Sequence, residues 1–502
     1  MTSGLTSYSP ENRGRVLLLF LLFLLGLYQL ATSGLPPFAA ICMLPGLVLF
    51  IYLAFTYKMM AFWMLIIINY FLQMKDVHLP VPMSLPNEML QILLLGIAII
   101  DSRQTPHFER AANPMLFAIV IWCIYCSLEI LNDTCGLGIN IGTWYTGARL
   151  IAYQLLYIFL VFSIYISSPE ILMKYIKLWA LLSIFSAIWT WKQQNIGLTS
   201  AENNFMFGRG ASTHVLQAGT LIRYFSTFGD AATYGCNAAA TGVAFFIFGI
   251  TSKFTRYKFF FILTSILVII NMFASGTRTA IFCMLGGLAT YIFLSKSIKI
   301  AIPSAILGVL FLFILAFTNI GQGNQQIRRM RSAFDRNDAS ANVRDINKAT
   351  IKKYMKDAPW GIGIGMGHKE VPANNKFNKM ATIASDSEYV DIWIRTGSIG
   401  ITTFVISTLI MLGGACYIVF FTLKSPSLIG IGAGLCSAFV AIQLGAYANQ
   451  ILFQFPNGVI FYGGLSMVYI LPYLEPAWIE YEKKKVNKQG ERKRSKIKIK
   501  MN

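Results

Sequence analysis

The sequence has little charge, and most of what it has is positive. Only 13% of its 502 residues are charged, and 22 acidic residues stand against 42 lysines and arginines. Soluble domains carry about twice that charged fraction. The composition therefore argues against an ordinary soluble protein.

Residues that bind metals or form disulfides are also scarce. The four histidines are scattered among separate loops, and of the eight cysteines only Cys135 lies clearly in a loop. Cys123 and Cys126 fall inside an apolar run. This distribution predicts neither a metal site nor a disulfide framework, and we expect no cofactor.

Apolar residues are abundant instead. They make up 55% of the chain and give a mean hydropathy of +0.58. Runs of about 20 apolar residues, long enough for a helix to cross a membrane, recur along the sequence. We therefore predict an all-α, polytopic integral membrane protein with about 12–14 transmembrane helices. The predicted spans are approximately 16–33, 37–56, 59–74, 87–101, 114–131, 149–167, 175–192, 231–251, 257–275, 279–295, 299–319, 396–422, 427–449 and 456–474.

Basic residues in short loops predict the orientation, because such loops stay on the cytoplasmic side. With an even number of spans, both termini, 1–15 and 475–502, are then cytoplasmic. The first apolar run, Leu17–Ala31, has no small-residue cleavage site after it, so we expect it to remain as a helix. The short links that define the cytoplasmic side are 102–110, 253–258, 295–299 and 422–427.

The net charge of +20 is concentrated at the C-terminal end. Lys483–Asn502 holds ten lysines and arginines against one acid. A cytoplasmic polybasic tail of this kind is attracted to anionic membrane lipid. We therefore read the positive charge as a membrane signal, and we expect no nucleic-acid partner.

Two long loops fall on the external side in this topology, 193–230 and 320–388. The second follows eleven spans in 16–319 and precedes three in 389–474, and it carries twelve basic and seven acidic residues. It is too long for a plain connector. Its segment 340–357 has helix-forming composition without an apolar run, so we predict a helix lying on the membrane surface.

Charged side chains reach the membrane boundary at three external positions. Arg223 precedes the eighth span, Arg278 sits in the tight turn after the ninth, and an acidic segment enters the twelfth. Arginine in an external turn runs against the topological bias of membrane proteins, which suggests a negatively charged ligand outside. An anchor to lipid phosphate is the alternative for Arg278.

The acidic segment can be read in two ways. On a helix Glu388, Asp391 and Arg395 share one face, and Asp391 with Arg395 forms an i, i+4 pair. Asp386 precedes them, where a carboxylate also suits a helix N-terminus. A cap and a structural ion pair therefore stand beside the functional reading, in which ionisable groups at membrane depth mark a site.

These segments resemble the O-antigen ligase and O-antigen polymerase superfamily of bacterial membrane glycosyltransferases. That family has a His, then Asn, Ser or Gln, nine residues, Gly, two residues and a second Gly or similar residue. Here Asp386, Ser387, Gly397 and Gly400 stand at this spacing, with Asp in place of His. The segments around Arg223 and Arg278, and the stretch 343–367, also resemble family segments, so the resemblance covers roughly 220–420.

The resemblance implies a GT-C-like fold and a metal-independent, inverting glycosyltransferase. Its donor would be a glycan on a polyprenyl (undecaprenyl) pyrophosphate, and its acceptor a glycan or glycolipid. Arginine binds phosphate in a two-pronged way, so Arg223 and Arg278 are the first candidates for the pyrophosphate, and Arg344 is a weaker third. The active site would face the periplasm from the inner membrane, with a chain-length regulator as a possible partner.

Asp386 is the candidate catalytic base, with Glu388 as a fallback. An ordinary aspartate titrates near 3.9, so it is a weaker base than the histidine it replaces. The site could also work mainly by orienting the acceptor and stabilising the leaving group. We expect Ser387, Asp391, Arg395, Gly397 and Gly400 to support the site.

The replaced histidine and the chain length favour a polymerase over a ligase. A lipid-linked oligosaccharide flippase or other transporter is the alternative from another class, but no internal repeat supports it.

Two further features of the sequence allow more than one interpretation. The glycine-rich segment 361–367 lacks the spacing of a nucleotide-binding loop and is better explained by close backbone approach. Aromatic residues in 193–230 could stack on sugars or lie at the membrane interface.

Overall fold

A computed structural model gives the fold. The described residues are 14, 17–18, 20–21, 23–25, 28, 32, 35–77, 84–101, 108–216, 221–320, 323–331, 339–383 and 385–501. The predictions of a cytoplasmic segment over 1–15 and of a first span over 16–33 fall largely outside them, as does most of the link 102–110.

Helices form nearly all of the regular secondary structure among the described residues, which confirms the all-α fold. The only strands among these residues are β1 (Val215–Leu216) and β2 (Leu221–Ile222), which pair antiparallel. The helices are α1 Leu35–Thr56, α2 Lys58–Phe71, α3 Ser84–Ile100, α4 Pro114–Leu128, α5 Ile141–Ala148, α6 Gln154–Tyr165, α7 Pro169–Asn195, α8 Ser200–Phe207, α9 Ala211–His214, α10 Ala231–Thr251, α11 Thr255–Met272, α12 Thr279–Leu294, α13 Ile298–Phe317, α14 Gln325–Arg331, α15 Ala339–Tyr354, α16 Asn378–Thr382, α17 Glu388–Tyr417, α18 Pro426–Ala446 and α19 Gly463–Met501.

Eight helical segments of the described chain are long and apolar enough to cross a membrane. The bent pair of α1 and α2 adds a ninth if it is one span. Three shorter apolar helices lie at Ser84–Ile100, Thr279–Leu294 and Ile302–Ile314. The protein is thus a polytopic membrane protein, and the count of fourteen spans stays a prediction. The eight segments are Pro114–Leu131, Ile141–Tyr165, Pro169–Asn195, Ala231–Thr251, Thr255–Ser275, Glu388–Thr422, Pro426–Ala446 and Gly458–Lys485.

The chain divides into two compact units, Met1–Met64 and Leu65–Asn502. In the second unit, α10 is the most deeply buried of the long apolar helices at 89%, followed by α18 and the segment Gly458–Lys485, both at 83%. The closest packing involves α10 and α18. They pack against each other and against α12. Small residues such as Ala239, Ala240 and Ala441 are fully buried there, and small side chains allow membrane helices to approach closely.

The long loop predicted over 320–388 is largely folded. Its predicted surface helix is present as α15, although its placement on a membrane surface is a prediction that no observation tests. Residues that follow α15 form a small apolar core of their own, including Met355, Phe377 and Met380. Cys135 and Ile394 belong to the same core. The loop therefore packs on α17 and on the short segment that follows the span Pro114–Leu131.

The twelfth predicted span begins eight residues earlier than expected. Helix α17 starts at Glu388, so the acidic segment is already helical, and a break at Gly397 divides it from the apolar part. Gly397 has φ 70° and ψ −170°, a backbone conformation that residues with a side chain rarely adopt. The number of apolar residues alone could not predict where this helix begins, because its charged first turn precedes the apolar run.

Candidate functional site

The break at Gly397 frees backbone groups that the long loop then binds. The carbonyl oxygens of Ile394 and Arg395 accept hydrogen bonds from the N–H groups of Ile362 and Gly363, at 2.9 and 3.0 Å. After the break, the Ser398 N–H donates to the Pro359 carbonyl at 3.0 Å. Buried backbone groups must be paired in this way, so the break and the loop stabilise each other.

Glycines make this approach possible. A Cβ at Gly361 would lie 2.5 Å from the Arg395 carbonyl oxygen, and one at Gly397 would clash with the Pro359 carbonyl. Further along the same segment, a Cβ at Gly365 would clash with the Thr143 carbonyl. The interpretation of the glycine-rich segment 361–367 as a place of close backbone approach is confirmed.

Arg223 holds the β1–β2 hairpin against the turn that precedes α12. Its Nε donates to the Ser275 carbonyl at 3.0 Å, and one terminal nitrogen donates to the Thr277 hydroxyl at 3.0 Å. The other terminal nitrogen donates to the Thr213 carbonyl at 2.8 Å. Three bonds therefore fix the guanidinium in one orientation.

Arg329 reaches the same turn from the long loop. It lies in α14, and its Nε donates to the Gly276 carbonyl at 3.0 Å. Gly276 has a positive φ of 54°, which lets the turn present successive carbonyl groups to the two arginines. Residues 275–277 thus bind both guanidinium groups by backbone and hydroxyl oxygens.

Both arginines line one cavity of about 500 Å³, which we call the arginine cavity. Asp386 lines it from the segment before α17, and Asp230 from the start of α10. The Asp230 side chain accepts hydrogen bonds from the N–H groups of Ala232 and Thr233, at 2.7 and 2.8 Å, so it caps that helix. Asp386 is exposed, lies two residues before α17 begins, and lines the cavity.

His214 forms part of the wall of the arginine cavity. Its ring is buried, its Nε2 accepts from the Ala231 N–H at 3.2 Å, and its Nδ1 contacts the Gly210 carbonyl at 3.0 Å. Because Nε2 accepts, the proton sits on Nδ1 and donates to Gly210. Burial lowers the pKa of His214 to about 4, against an opposing hydrogen bond to Gly210. His214 is therefore neutral, and its carbonyl accepts from the Arg223 N–H at 2.9 Å.

A second cavity of about 480 Å³ adjoins the first, since Gln450 and Gln454 line both. Its wall carries carboxylate and amide groups together with phenylalanine rings, and we call it the acid–amide cavity. Its lining includes Glu388, Asp391, Arg395, Thr146, Phe453 and Phe455.

The charged residues of the acid–amide cavity are tied to neighbouring groups. Arg395 Nε lies 2.8 Å from Asp391 Oδ2, which confirms the predicted i, i+4 contact. Glu388 is buried, and its Oε2 accepts from the Leu452 N–H at 3.0 Å. Gln450 donates to the Ser385 hydroxyl at 2.8 Å, and Ser385 donates to Asp391 at 3.1 Å. A chain of polar contacts thus joins the two cavities.

The predicted site residues divide between these cavities. Arg223 and Asp386 lie on the first, and Glu388, Asp391 and Arg395 on the second. Arg278 is the residue before α12, two positions after Gly276, and is not among the residues that line either cavity. Arg344 lies in α15, and its side chain is outside the described part of the chain.

The supporting residues have structural contacts. The Ser387 hydroxyl donates to the Ala446 carbonyl at 3.4 Å. The Thr396 carbonyl, freed by the break at Gly397, accepts from the Tyr125 hydroxyl at 2.7 Å. A Cβ at Gly400 would lie 2.8 Å from the Tyr125 ring. Ser387, Gly397 and Gly400 therefore shape the start of α17.

Four residues of the two cavities did not stand out in the sequence. Arg329 is one of twelve basic residues in the long loop, and nothing in its neighbourhood separates it from the others. Gln450 and Gln454 lie between the last two predicted spans, where amides are ordinary. His214 was counted only as one of four scattered histidines. Proximity to Asp386 would have identified them, and the sequence does not give that proximity.

Metal ligands do not gather in either cavity. Across the residues that the structure describes, no group of three or more His, Cys, Asp and Glu side chains could hold a metal ion. The charged groups that do gather are guanidinium and carboxylate groups. Such an arrangement can bind a phosphate-containing ligand and accept a proton close to it.

Comparison with known proteins supports the predicted family. Residues 263–405 match the family model described as O-antigen ligase. No curated protein matches the chain. The matched region contains Arg278, Arg329, Asp386 and the break at Gly397, and so most of the turn and loop described above. The family implies a glycosyltransferase-like enzyme that acts on lipid-linked glycans in a bacterial membrane. The predicted resemblance to the O-antigen ligase and polymerase superfamily is thereby confirmed over residues 263–405.

Proposed function

We propose that the protein is a polysaccharide polymerase. It transfers a glycan from a polyprenyl-pyrophosphate carrier to a sugar hydroxyl of another lipid-linked repeat unit, on the outer side of the bacterial inner membrane. The observation that carries this proposal is the arginine cavity, where Arg223, Arg329 and Asp386 line one space of about 500 Å³.

The arginines would bind the pyrophosphate of the donor. Two fixed guanidinium groups offset the negative charge that grows on the departing phosphate oxygen as its bond to the sugar breaks. Their contacts with the turn at 275–277 hold them in place before the ligand arrives, so little reorganisation is needed. Arg278, in the same turn, and Arg344 remain candidates for the same ligand.

Asp386 would receive the proton of the acceptor hydroxyl. The hydroxyl oxygen attacks the anomeric carbon from the side opposite the pyrophosphate, so the configuration inverts. The bond to the phosphate oxygen breaks, and the carrier pyrophosphate leaves with the bonding electrons. In this proposal no metal or cofactor takes part, because the arginines supply the positive charge.

A ligase that transfers the glycan to a glycolipid acceptor is the second candidate. The description of the matching family as O-antigen ligase favours it. Both candidates use the same donor and the same chemistry, and they differ only in the acceptor.

A transfer assay with purified protein in detergent separates these possibilities. The lipid-linked repeat unit is supplied alone, with EDTA present, and products are separated by size. We expect a ladder that grows by one repeat unit. A product formed only after a glycolipid acceptor is added would show a ligase instead. Absence of product with either acceptor would contradict glycan transfer.

The orientation needs its own test. A cysteine in place of Lys376, whose side chain is 66% exposed, is labelled with a membrane-impermeant thiol reagent in intact spheroplasts. We expect labelling from outside. Labelling only after the cells are opened would place the cavities on the cytoplasmic side and contradict the proposal.

A further inference from the structure

We propose that the acid–amide cavity binds the terminal sugar of the acceptor, and that this sugar carries no anionic group. The inference rests on the proposed function, because it assigns the donor pyrophosphate to the arginine cavity and the acceptor to its neighbour. It names the chemical class of the acceptor, which the family match does not specify.

The two cavities are placed for a donor and an acceptor. They share Gln450 and Gln454. Asp386 lies on the arginine cavity and Glu388, two residues later, on the acid–amide cavity. A sugar in the second cavity can therefore present a hydroxyl at the boundary, beside the proposed base and next to the bound pyrophosphate.

The lining of the acid–amide cavity suits a neutral sugar. Sugar hydroxyl groups both donate and accept, and carboxylate and amide side chains offer the matching acceptors and donors. The apolar face of a sugar packs on aromatic rings. Thr146 is exposed and Phe453 is half-buried, and both line this cavity. Its wall therefore offers a hydroxyl group and part of an aromatic ring.

The same lining disfavours an anion. Among the described residues of this wall, the one cation is Arg395, and its charge is offset by Asp391 at 2.8 Å. Arg149, which donates to the lining residue Ser84, pairs with Glu88 at 3.1 Å. Among the described residues, no cation lies within 4 Å of the Glu388 carboxyl group. A carboxylate or phosphate placed here would therefore meet only a cation that is already paired, and burying an unpaired charge is unfavourable.

The arginine cavity carries more cationic groups in its wall. Arg223 and Arg329 both line it, beside Asp230 and Asp386. A ligand with phosphate groups therefore finds two guanidinium groups in the first cavity, whereas the second offers one, which is already paired with Asp391.

The first test measures binding of two probes to the full-length protein in detergent. One probe is the repeat-unit glycan released from its carrier by mild acid, and the other is inorganic pyrophosphate. We expect Phe453→Leu to weaken glycan binding at least about tenfold and to leave pyrophosphate binding within about twofold. Arg329→Gln should do the reverse. Phe421→Leu, at a ring that is 69% exposed, is the matched control and should change neither.

The outcomes separate the inference from the proposed function. If Arg329→Gln weakens the glycan as much as Phe453→Leu does, or if the glycan does not bind saturably, the acid–amide cavity is not its site. If Arg329→Gln leaves pyrophosphate binding unchanged, the proposed function loses its donor site, whether or not glycan binding changes. Thr146→Val repeats the glycan test without removing a ring, in case Phe453→Leu fails to fold.

The second test addresses charge. The released glycan is oxidised at its primary hydroxyls to carboxylates and compared with the untreated glycan. We expect the wild-type protein to bind the oxidised glycan at least about tenfold more weakly. Asp391→Asn leaves the Arg395 charge without its carboxylate, so it should restore most of that loss. Equal binding of both glycans by the wild-type protein would overturn the inference.

Discussion

The two adjoining cavities are built by different means. In the arginine cavity, side chains do the positioning: Arg223 and Arg329 bind the turn at 275–277. In the acid–amide cavity, backbone does the positioning: the segment 361–365 docks on the break at Gly397 through N–H and carbonyl groups. The shape of the first cavity should therefore depend on its charged side chains, and the shape of the second on its backbone contacts.

The largest effect is expected from Gly397→Ala. The added methyl group would clash with the Pro359 carbonyl, and φ of 70° is unfavourable for alanine. Strain and lost backbone hydrogen bonds together should cost more than about 3 kcal/mol. We expect loss of the folded protein or a large drop in the thermal midpoint, measured by fluorescence-detected gel filtration after heating.

Gly413→Ala in the same helix is the matched control, because a Cβ there would meet nothing within 4 Å. It should behave like the wild-type protein. If Gly397→Ala proved equally harmless, the docking of the loop on the break would not determine the second cavity.

The next effect concerns charge in the first cavity. Arg329→Gln and Arg223→Ala should each lower the transfer rate about 10²-fold to 10³-fold, the range found when a fixed donor to a developing negative charge is removed. Arg223→Ala should also lower thermal stability, because Arg223 makes three hydrogen bonds that hold the hairpin. The rate with saturating lipid-linked donor and the thermal midpoint are the two measurements.

Lysine is the informative comparison at both positions. It keeps the charge but not the planar fork, so Arg329→Lys should recover only part of the lost rate. The transfer rate of Arg278→Ala, measured in the same assay, shows whether the pyrophosphate also contacts Arg278. Full activity of both Arg223→Ala and Arg329→Gln would rule out the arginine cavity as the donor site.

Asp386→Asn should lower the transfer rate about 10²-fold, at the low end of the range for general bases. Asp386 is exposed at the cavity, so the substitution should leave the fold intact. The rate is measured from pH 5 to 8 in both proteins. A rate of Asp386→Asn that equals the wild-type rate at every pH would show that the carboxylate is not the base.

His214 gives a smaller, pH-dependent effect on stability. Its pKa is lowered to about 4, whereas an unfolded histidine titrates near 6.5. Between these values the unfolded chain binds more protons, so stability rises with pH through this window and falls as pH drops through it. The difference is at most about 3 kcal/mol.

The measurement is the thermal midpoint between pH 4.5 and 7.5. His214→Asn should flatten its slope below pH 6.5, at the cost of a lower midpoint at neutral pH, because the acceptor for the Ala231 N–H changes. An unchanged slope would mean that folding does not shift the pKa of His214, which the hydrogen bond from the Ala231 N–H opposes.

Sequence reasoning predicted the fold class and the charged ends of the helices better than it predicted the cavities. Apolar runs determine most of the helices, because the membrane requires them. Arg223 and Asp386 stood out because charge at a membrane boundary is costly. Arg329 and Gln450 did not, since polar residues are common in loops, and only tertiary packing decides which of them line a cavity with Asp386.

The break in α17 at Gly397 could not be predicted from the local sequence pattern for a related reason. Gly361, Gly363 and Gly397 each permit an unusual backbone conformation. The sequence does not show that the segment around Gly361 contacts the segment around Gly397. The spacing from Asp386 to Gly397 and Gly400 carried the family resemblance but not this contact. In this chain, Gly397 lies where one glycine-containing backbone packs against another.

The smallest effect is expected from the Asp391–Arg395 ion pair. Their side chains are 19% and 31% exposed, and they lie one turn apart on a helix, where such a pair contributes about 0.5 kcal/mol. A double-mutant cycle with Asp391→Asn and Arg395→Gln, read from the thermal midpoint, should give a coupling of that size. Since backbone contacts hold this wall of the cavity, losing the pair should change its charge and hardly its shape. A coupling above about 2 kcal/mol would instead make side-chain charge the basis of both cavities and remove the contrast between them.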